Sequence, residues 1–141
     1  MVTTTDERFS GSKAAILIGE RLLITLRDDR PDIPCPNMWD LVGGGAEPGE
    51  TPWACLCRES FEEVGLDLSD AKTLWERRYE AVHSSGWVMF YVVQLPARAE
   101  RHIVFGDEGQ GWRLVTPEAY LTMADAVPSL PPRLRDWMAS G

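Results

Sequence analysis

Residues 43–66 read GGGAEPGETPWACLCRESFEEVGL and predict a glycine-rich turn that leads into a helix. Thr51 is a suitable N-cap, and proline at position 52 fits the first turn of a helix. No helix breaker interrupts the sequence from Trp53 to Val64. Gly65 then stands where glycine commonly ends a helix. We therefore expect a helix that begins at residue 52 and ends at residue 64.

Three carboxylates share one face of this predicted helix. Glu59, Glu62 and Glu63 stand at positions i, i+3 and i+4, so they repel one another across a single turn. A cation would remove that penalty, and oxygen-only ligands suit Mg²⁺ or Mn²⁺. For an isolated run of glutamates, a solvated helix face is the ordinary alternative. The glycines upstream favour a binding site, because they allow the backbone to approach a phosphate or a metal closely.

The spacing of this stretch resembles the Nudix box. That pattern is Gly, five residues, Glu, seven residues, Arg-Glu, an aliphatic residue, any residue, Glu-Glu, any residue, Gly and an aliphatic residue. The fixed positions are all present as Gly44, Glu50, Arg58, Glu59, Glu62, Glu63 and Gly65. Ser60 departs from the usual aliphatic residue at a position that packs rather than catalyses. Residues 39–45 also look like the strand that precedes the box, and the likeness covers nearly the whole chain.

The resemblance implies an α/β fold, the Nudix-type α/β/α sandwich with a mixed β-sheet between helices. By resemblance, Glu59, Glu62 and Glu63 are catalytic metal ligands for Mg²⁺ or Mn²⁺. The backbone carbonyl of Gly44, or of its neighbour Gly43, would complete the coordination sphere.

The remaining roles in the box concern the substrate and the carboxylates. Gly43, Gly44 and Gly45 are expected to approach the phosphates. Arg58 usually orients carboxylates in this family, and Glu50 is its expected partner. Trp39, just before the glycines, is a candidate substrate contact.

A further base or metal ligand often comes from a loop outside the box. Glu108 lies in Glu108-Gly-Gln110, just before a predicted strand, as an equivalent Glu-Gly-Gln does in the mutator-type members that destroy oxidised guanine nucleotides. Glu108 is therefore a candidate catalytic residue and metal ligand, and an ordinary loop acid is the alternative. The asparagine that reads the base in those members is absent from residues 127–132, where Ser129 could substitute.

Aromatic side chains and one histidine are weaker candidates. The chain has six tryptophans, and aromatic rings can stack on a base. Trp39, Trp87 and Phe90 are placed on strands near the expected cleft, although most such aromatics belong to the core. His83 is a candidate second acid–base group, and a structural role is the alternative.

These observations predict a pyrophosphohydrolase. The expected reaction is metal-dependent hydrolysis of a diphosphate linkage by activated water. The substrate would be a nucleoside triphosphate, canonical or oxidised, or a nucleotide sugar. The alternative is a non-catalytic nucleotide-binding or regulatory Nudix module, which the retained glutamates disfavour.

The rest of the chain predicts strands interleaved with helices. Strands are expected over residues 14–18, 22–26, 38–42 and 112–115, with a hairpin formed by residues 73–82 and 87–95. Thr116 and Pro117 predict a second helix start, and residues 132–140 predict a final amphipathic helix. We expect residues 1–12 to form a flexible leader and residues 13–141 to form a single Nudix domain.

Composition limits the partners. The net charge is −8, and 44% of the 141 residues are hydrophobic, which fits a globular chain. An acidic surface disfavours long nucleic acid. No run is long enough to span a bilayer, and the three cysteines show no disulfide framework. We therefore expect a cytoplasmic protein that acts on small nucleotides, and the resemblance leaves a homodimer open.

Overall fold

A computed structural model describes residues 8–141 of the chain. The first three strands are followed by a short fourth strand, and a loop connects this strand to the first helix. The elements are β1 (Phe9–Ile18), β2 (Arg21–Leu26), β3 (Trp39–Asp40), β4 (Val42–Gly45), α1 (Pro52–Val64), β5 (Lys72–Glu80), β6 (Trp87–Leu95), a 3-10 helix (Ala97–His102), β7 (Gly111–Val115), α2 (Pro117–Leu121) and α3 (Leu130–Ala139).

Strands β1 and β2 separate beyond their turn, and residues 39–45 enter the gap. β1 pairs with β2 only at Leu17 and Ile18 next to the turn. Further along, β3 pairs with the end of β2, while β4 pairs with residues 11–14 of β1. β6 runs parallel to β1 on its other side, and the remaining pairings are antiparallel. The glycines of β4 therefore pair with β1 in the region where β1 and β2 have separated.

Apolar side chains cover both faces of this mixed sheet. On one face, Ile16 and Ile18 of β1 pack with Leu56 and Val64 of α1. On the other face, the alternate β1 residues pack against α2 and α3, including Tyr120, Leu130 and Leu134. The near-continuous apolar run in β1 follows from this double burial. The predicted α/β/α sandwich is confirmed.

The first helix has the predicted boundaries because local signals define both ends. The Thr51 hydroxyl accepts a hydrogen bond from the Ala54 amide at 3.1 Å. Gly65 adopts a left-handed conformation with φ of 70°, and its amide donates to the Phe61 carbonyl. Ser60, the position that departs from the box, is buried, and its hydroxyl donates to the Leu66 carbonyl at 3.0 Å. A polar side chain is accommodated there because it has a partner.

Several predicted boundaries differ from the structure. β1 begins at Phe9, so residues 9–12 of the predicted leader lie in a strand, and residues 1–7 lie outside the described residues. The single strand expected over residues 38–42 is two short strands with different partners. The final helix begins at Leu130, and the 3-10 helix was not predicted. None of the helices in residues 8–141 is long and apolar enough to cross a membrane.

We expect Leu56→Ala to lower the free energy of unfolding by about 2–5 kcal/mol, because it removes a fully buried side chain between α1 and the sheet. Urea denaturation measures the change. Phe61→Ala on the same helix is the control, since Phe61 is 67% exposed and should change stability by less than about 0.5 kcal/mol. Equal losses in the two variants would contradict this packing.

Candidate active site

Most of the predicted site residues line one cavity, which lies between the end of β2, strand β4 and helix α1. Its volume is about 350 Å³. The predicted residues that line it are Gly43, Gly44, Gly45, Glu59, Glu63 and Glu108. Two arginines, Arg27 and Arg30, also line it. The cavity therefore combines carboxylates, exposed backbone and cations, which are the groups that a metal–phosphate ligand requires.

The carboxylate of Glu59 lies directly against the backbone of Gly44. A Cβ atom at Gly44 would come within 2.5 Å of Glu59 Oε2 and 2.9 Å of Oε1. The thiol of Cys55, one turn earlier on α1, lies 3.6 Å from the Gly44 carbonyl oxygen. The helix thus faces the glycine strand closely, and a side chain at Gly44 would fill the space where the carboxylate sits.

Arg58 binds the acidic side chains around it. Its Nε and Nη2 atoms donate to the two Glu50 oxygens at 2.7 and 3.0 Å. Nη1 donates to Glu59 at 3.2 Å and to Glu62 at 3.1 Å, and Nη2 also donates to the Gly45 carbonyl at 2.8 Å. The bidentate pair lowers the pKa of Glu50 to about 2, with help from the Glu47 amide. The predicted Arg58–Glu50 pair is present, and it joins α1 to the loop before it.

Glu63 behaves differently from Glu50. Burial raises the pKa of its carboxyl group well above the usual range, and a hydrogen bond between the Glu63 and Glu59 carboxyl groups adds to the shift. Lys13 opposes it. Two carboxyl groups in close contact favour a shared proton when no cation separates them. The Glu59–Glu63 pair, together with the open backbone at Gly44, fits a hard divalent cation, which would take the place of that proton.

The third glutamate is placed apart from this pair. The Glu62 side chain is 56% exposed and binds Arg58, and it does not line the cavity. Within residues 8–141, no three Asp, Glu, His or Cys side chains converge in an arrangement that could hold a metal ion. Arg58 Nη1 binds Glu62 at 3.1 Å and also binds Glu59, at 3.2 Å. The role of Glu62 as a ligand stays a prediction.

The loop that carries Glu108 is fixed at both ends. The Gly106 amide donates to the Glu63 carbonyl at 2.9 Å, which attaches the loop to the end of α1. Gln110 donates from its backbone to Leu26 at 2.8 Å and from its side chain to the Arg27 carbonyl at 2.7 Å. These contacts hold Glu108 at the cavity, although its side chain is exposed.

Sequence reasoning missed a buried charge cluster behind the glycines. Asp40 is buried and accepts from Arg27 Nη1 at 2.9 Å, while Lys13 Nζ lies 3.1 Å from its Oδ1. Lys13 also donates to the Leu41 carbonyl at 3.2 Å. An acid within the apolar run of residues 38–42, and a lysine preceding the apolar run of β1, were the available signals. Buried charges are rarely retained without a partner.

The aromatic candidates are mostly part of the core. Trp39 is 8% exposed, packs in the cluster under α2 and α3, and lines neither this cavity nor its neighbour. Its position therefore gives no support to a substrate contact. Phe90 is also fully buried, and Trp87 packs between Phe9 and Arg78. His83 and Ser129 instead line a second cavity, of about 250 Å³, beside the first.

Comparison with known proteins assigns the family. A protein-family model described as NUDIX domain matches residues 11–138 of the chain. The nucleoside triphosphatase NudI of Salmonella arizonae is 35% identical over 112 residues, which cover 70% of this chain and 74% of that protein. The chain therefore belongs to the Nudix family. It is a Nudix pyrophosphohydrolase.

Solved structures show the same fold at lower identity. An Ap4A hydrolase of C. elegans superposes with a TM-score of 0.73 at 18% identity, covering 92% of this chain and 96% of that one. The dihydroneopterin triphosphate pyrophosphohydrolase of E. coli superposes with a TM-score of 0.68 at 21% identity, covering 93% and 95%. At this level of identity the likeness concerns the fold alone.

We expect Glu50→Gln to lower the free energy of unfolding at pH 7, because glutamine cannot provide the charge that Arg58 binds. The folded-state pKa of Glu50, about 2, lies below its ordinary value of 4.5. The stabilisation is therefore complete above pH 4.5 and is lost as the pH falls toward 2. Urea denaturation of both proteins between pH 7 and pH 3 should show their difference narrowing. A constant difference over that range would contradict the assignment.

Proposed function

We propose that the enzyme hydrolyses a nucleoside triphosphate, with its phosphates in the cavity of Glu59 and Glu63 and with Mg²⁺ or Mn²⁺ as cofactor. The observation that carries the proposal is the convergence of carboxylates, arginines and open glycine backbone on one cavity. The similarity to a nucleoside triphosphatase supports the choice of substrate. Retention of both cavity glutamates supports turnover over the regulatory alternative.

Glu59, Glu63 and the backbone carbonyl of Gly44 or Gly43 are the groups that would hold the ion. When bound, the divalent cation neutralises phosphate charge and makes water a usable nucleophile near neutral pH. The remaining steps belong to side chains of this chain.

The cations of the cavity bind and orient the phosphates. Arg27 already fixes Asp40 with one nitrogen and the Pro34 carbonyl with another, at 2.9 Å each, so its guanidinium is preorganised at the cavity wall. Arg30 lies on the more exposed side. Both can pair with phosphate oxygens as the bridging bond breaks.

Glu108 is the proposed general base. Water adds to one phosphorus, the bond to the bridging oxygen breaks, and the proton of the water moves to the Glu108 carboxylate. Its loop is anchored at Gly106 and Gln110, which keeps this carboxylate at the cavity. Loss of a positioned base typically costs about 10²–10⁴-fold in rate.

We further propose a cytoplasmic enzyme that acts on small nucleotides rather than long nucleic acid. The net charge of −8 disfavours a polyanion. All three cysteines are free, which suits a reducing compartment. A homodimer stays a prediction.

We expect Glu63→Gln and Glu59→Gln each to reduce kcat/KM by at least about 100-fold, because each removes a carboxylate from the proposed ion site. The assay follows product release from canonical and oxidised triphosphates, sugar diphosphates, ADP-ribose and dinucleoside polyphosphates. Each is tested with Mg²⁺, with Mn²⁺ and with chelator.

Glu76→Gln is the matched control, since Glu76 is exposed on β5 and lines neither cavity. It should retain wild-type turnover. Turnover that survives chelation, or that survives Glu63→Gln, would contradict the proposed site. A strong preference for sugar diphosphates would show that the substrate is a nucleotide sugar and not a nucleoside triphosphate.

A further inference from the structure

The second cavity opens beside the first and shares part of its wall. The residues common to both are Arg27, Asp40, Gly44 and Gly45. A nucleotide with its phosphates against Glu59 and Glu63 can therefore place its base in the second cavity. At about 250 Å³, that space lies slightly below the usual range of about 300–1,000 Å³ for pockets that hold a whole ligand.

The walls of the second cavity combine apolar surface with polar groups. The apolar surface comes from Pro34, Val88, Val127 and Leu130, and polar groups come from His83, Ser84 and Ser129. A nucleobase, which is apolar on its faces and polar at its edges, suits such a wall.

Arg133 is an unusual residue in this wall. Its side chain comes from α3 and the residue is only 8% exposed. Within residues 8–141, it has no carboxylate within salt-bridge distance, and its one hydrogen bond is a long contact of 3.4 Å from Nη2 to the Glu80 carbonyl. The guanidinium rests on the Tyr79 ring, 4.8 Å from its centroid. Burial lowers the pKa of Arg133, which reflects the missing anionic partner.

The carboxylates close to this cation are already paired with other groups. Asp40 is the one acidic side chain that lines the second cavity in the described part of the chain, and Lys13, Arg27 and the Leu41 amide bind it. Asp136, near Arg133 in sequence, accepts from the Tyr79 hydroxyl at 2.8 Å. Among the described residues that line this cavity, no carboxylate is therefore left for Arg133, and a ligand can bring an acceptor to its guanidinium.

We propose that Arg133 is a specificity-determining residue that donates a hydrogen bond to an exocyclic carbonyl oxygen of the nucleobase. The enzyme then prefers 6-oxopurine or 4-oxopyrimidine nucleotides over their amino counterparts, because an amino group would face the guanidinium donor to donor. The inference rests on the proposed function, which places the phosphates in the neighbouring cavity.

The test uses pairs of nucleotides that exchange one oxo group for one amino group. kcat/KM is measured for inosine against adenosine triphosphate and for uridine against cytidine triphosphate. Binding of the corresponding monophosphates, which have no diphosphate to cleave, is measured by calorimetry. We expect an oxo preference of about ten- to hundredfold in at least one pair, and its loss in Arg133→Met.

Two further variants separate recognition from folding. Arg135→Met, on an exposed position of the same helix, should keep the preference. Arg133→Lys keeps a charged donor and should retain part of it. Thermal unfolding confirms that each variant is folded.

The outcomes are distinguishable. Turnover without an oxo preference in either pair, or a preference unchanged in folded Arg133→Met, overturns the role of Arg133 and leaves the proposed function in place. Oxo-selective monophosphate binding that depends on Arg133, without turnover of any triphosphate, supports the recognition role and overturns the proposed function.

Discussion

The active site depends on the absence of side chains where β4 passes between β1 and α1. A Cβ at Gly43 would collide with the Ser12 carbonyl of β1, and a Cβ at Gly44 would displace the Glu59 carboxylate. On the β1 side, a Cβ at Gly11 would lie 2.5 Å from the Gly44 carbonyl oxygen. Glycine at position 44 therefore allows the Glu59 carboxylate to lie against the backbone, which is the arrangement that the proposed ion site requires.

The glutamates around α1 differ in their partners, and Arg58 binds Glu50, Glu59 and Glu62. Glu50 and Glu62 bind Arg58 outside the cavity, whereas Glu63 is held by burial and by its contact with Glu59. Glu50 therefore joins α1 to the loop before it, whereas the pKa of Glu63 is raised by burial and by its contact with Glu59. The Lys13–Arg27–Asp40 cluster lies where the two cavities meet, so the same buried carboxylate orients the cations on both sides.

Local signals in the sequence predicted the features that depend on neighbouring residues, such as the ends of a helix. The limits of α1 follow from Thr51, Pro52 and Gly65. The Nudix box includes Gly44, Glu59 and Glu63, which line the cavity, whereas Arg27 and Arg30 were not predicted. Long-range pairing was not predictable in the same way: the separation of β1 and β2, and the entry of residues 39–45 between them, arise from contacts between distant segments. The same limit applies to Trp39, whose burial in the cluster under α2 and α3 depends on strand register, and to Glu62, whose contact with Arg58 the sequence does not show.

A structure of crystals soaked in Mn²⁺, with the ion located from its anomalous scattering, tests the central claim most directly. We expect an ion about 2 Å from carboxylate oxygens of both Glu59 and Glu63, beside the carbonyl of Gly44 or Gly43, with Arg58 still paired to Glu50. An ion bound only by Asp107 or Glu108, with Glu59 and Glu63 still in contact with each other, would contradict it.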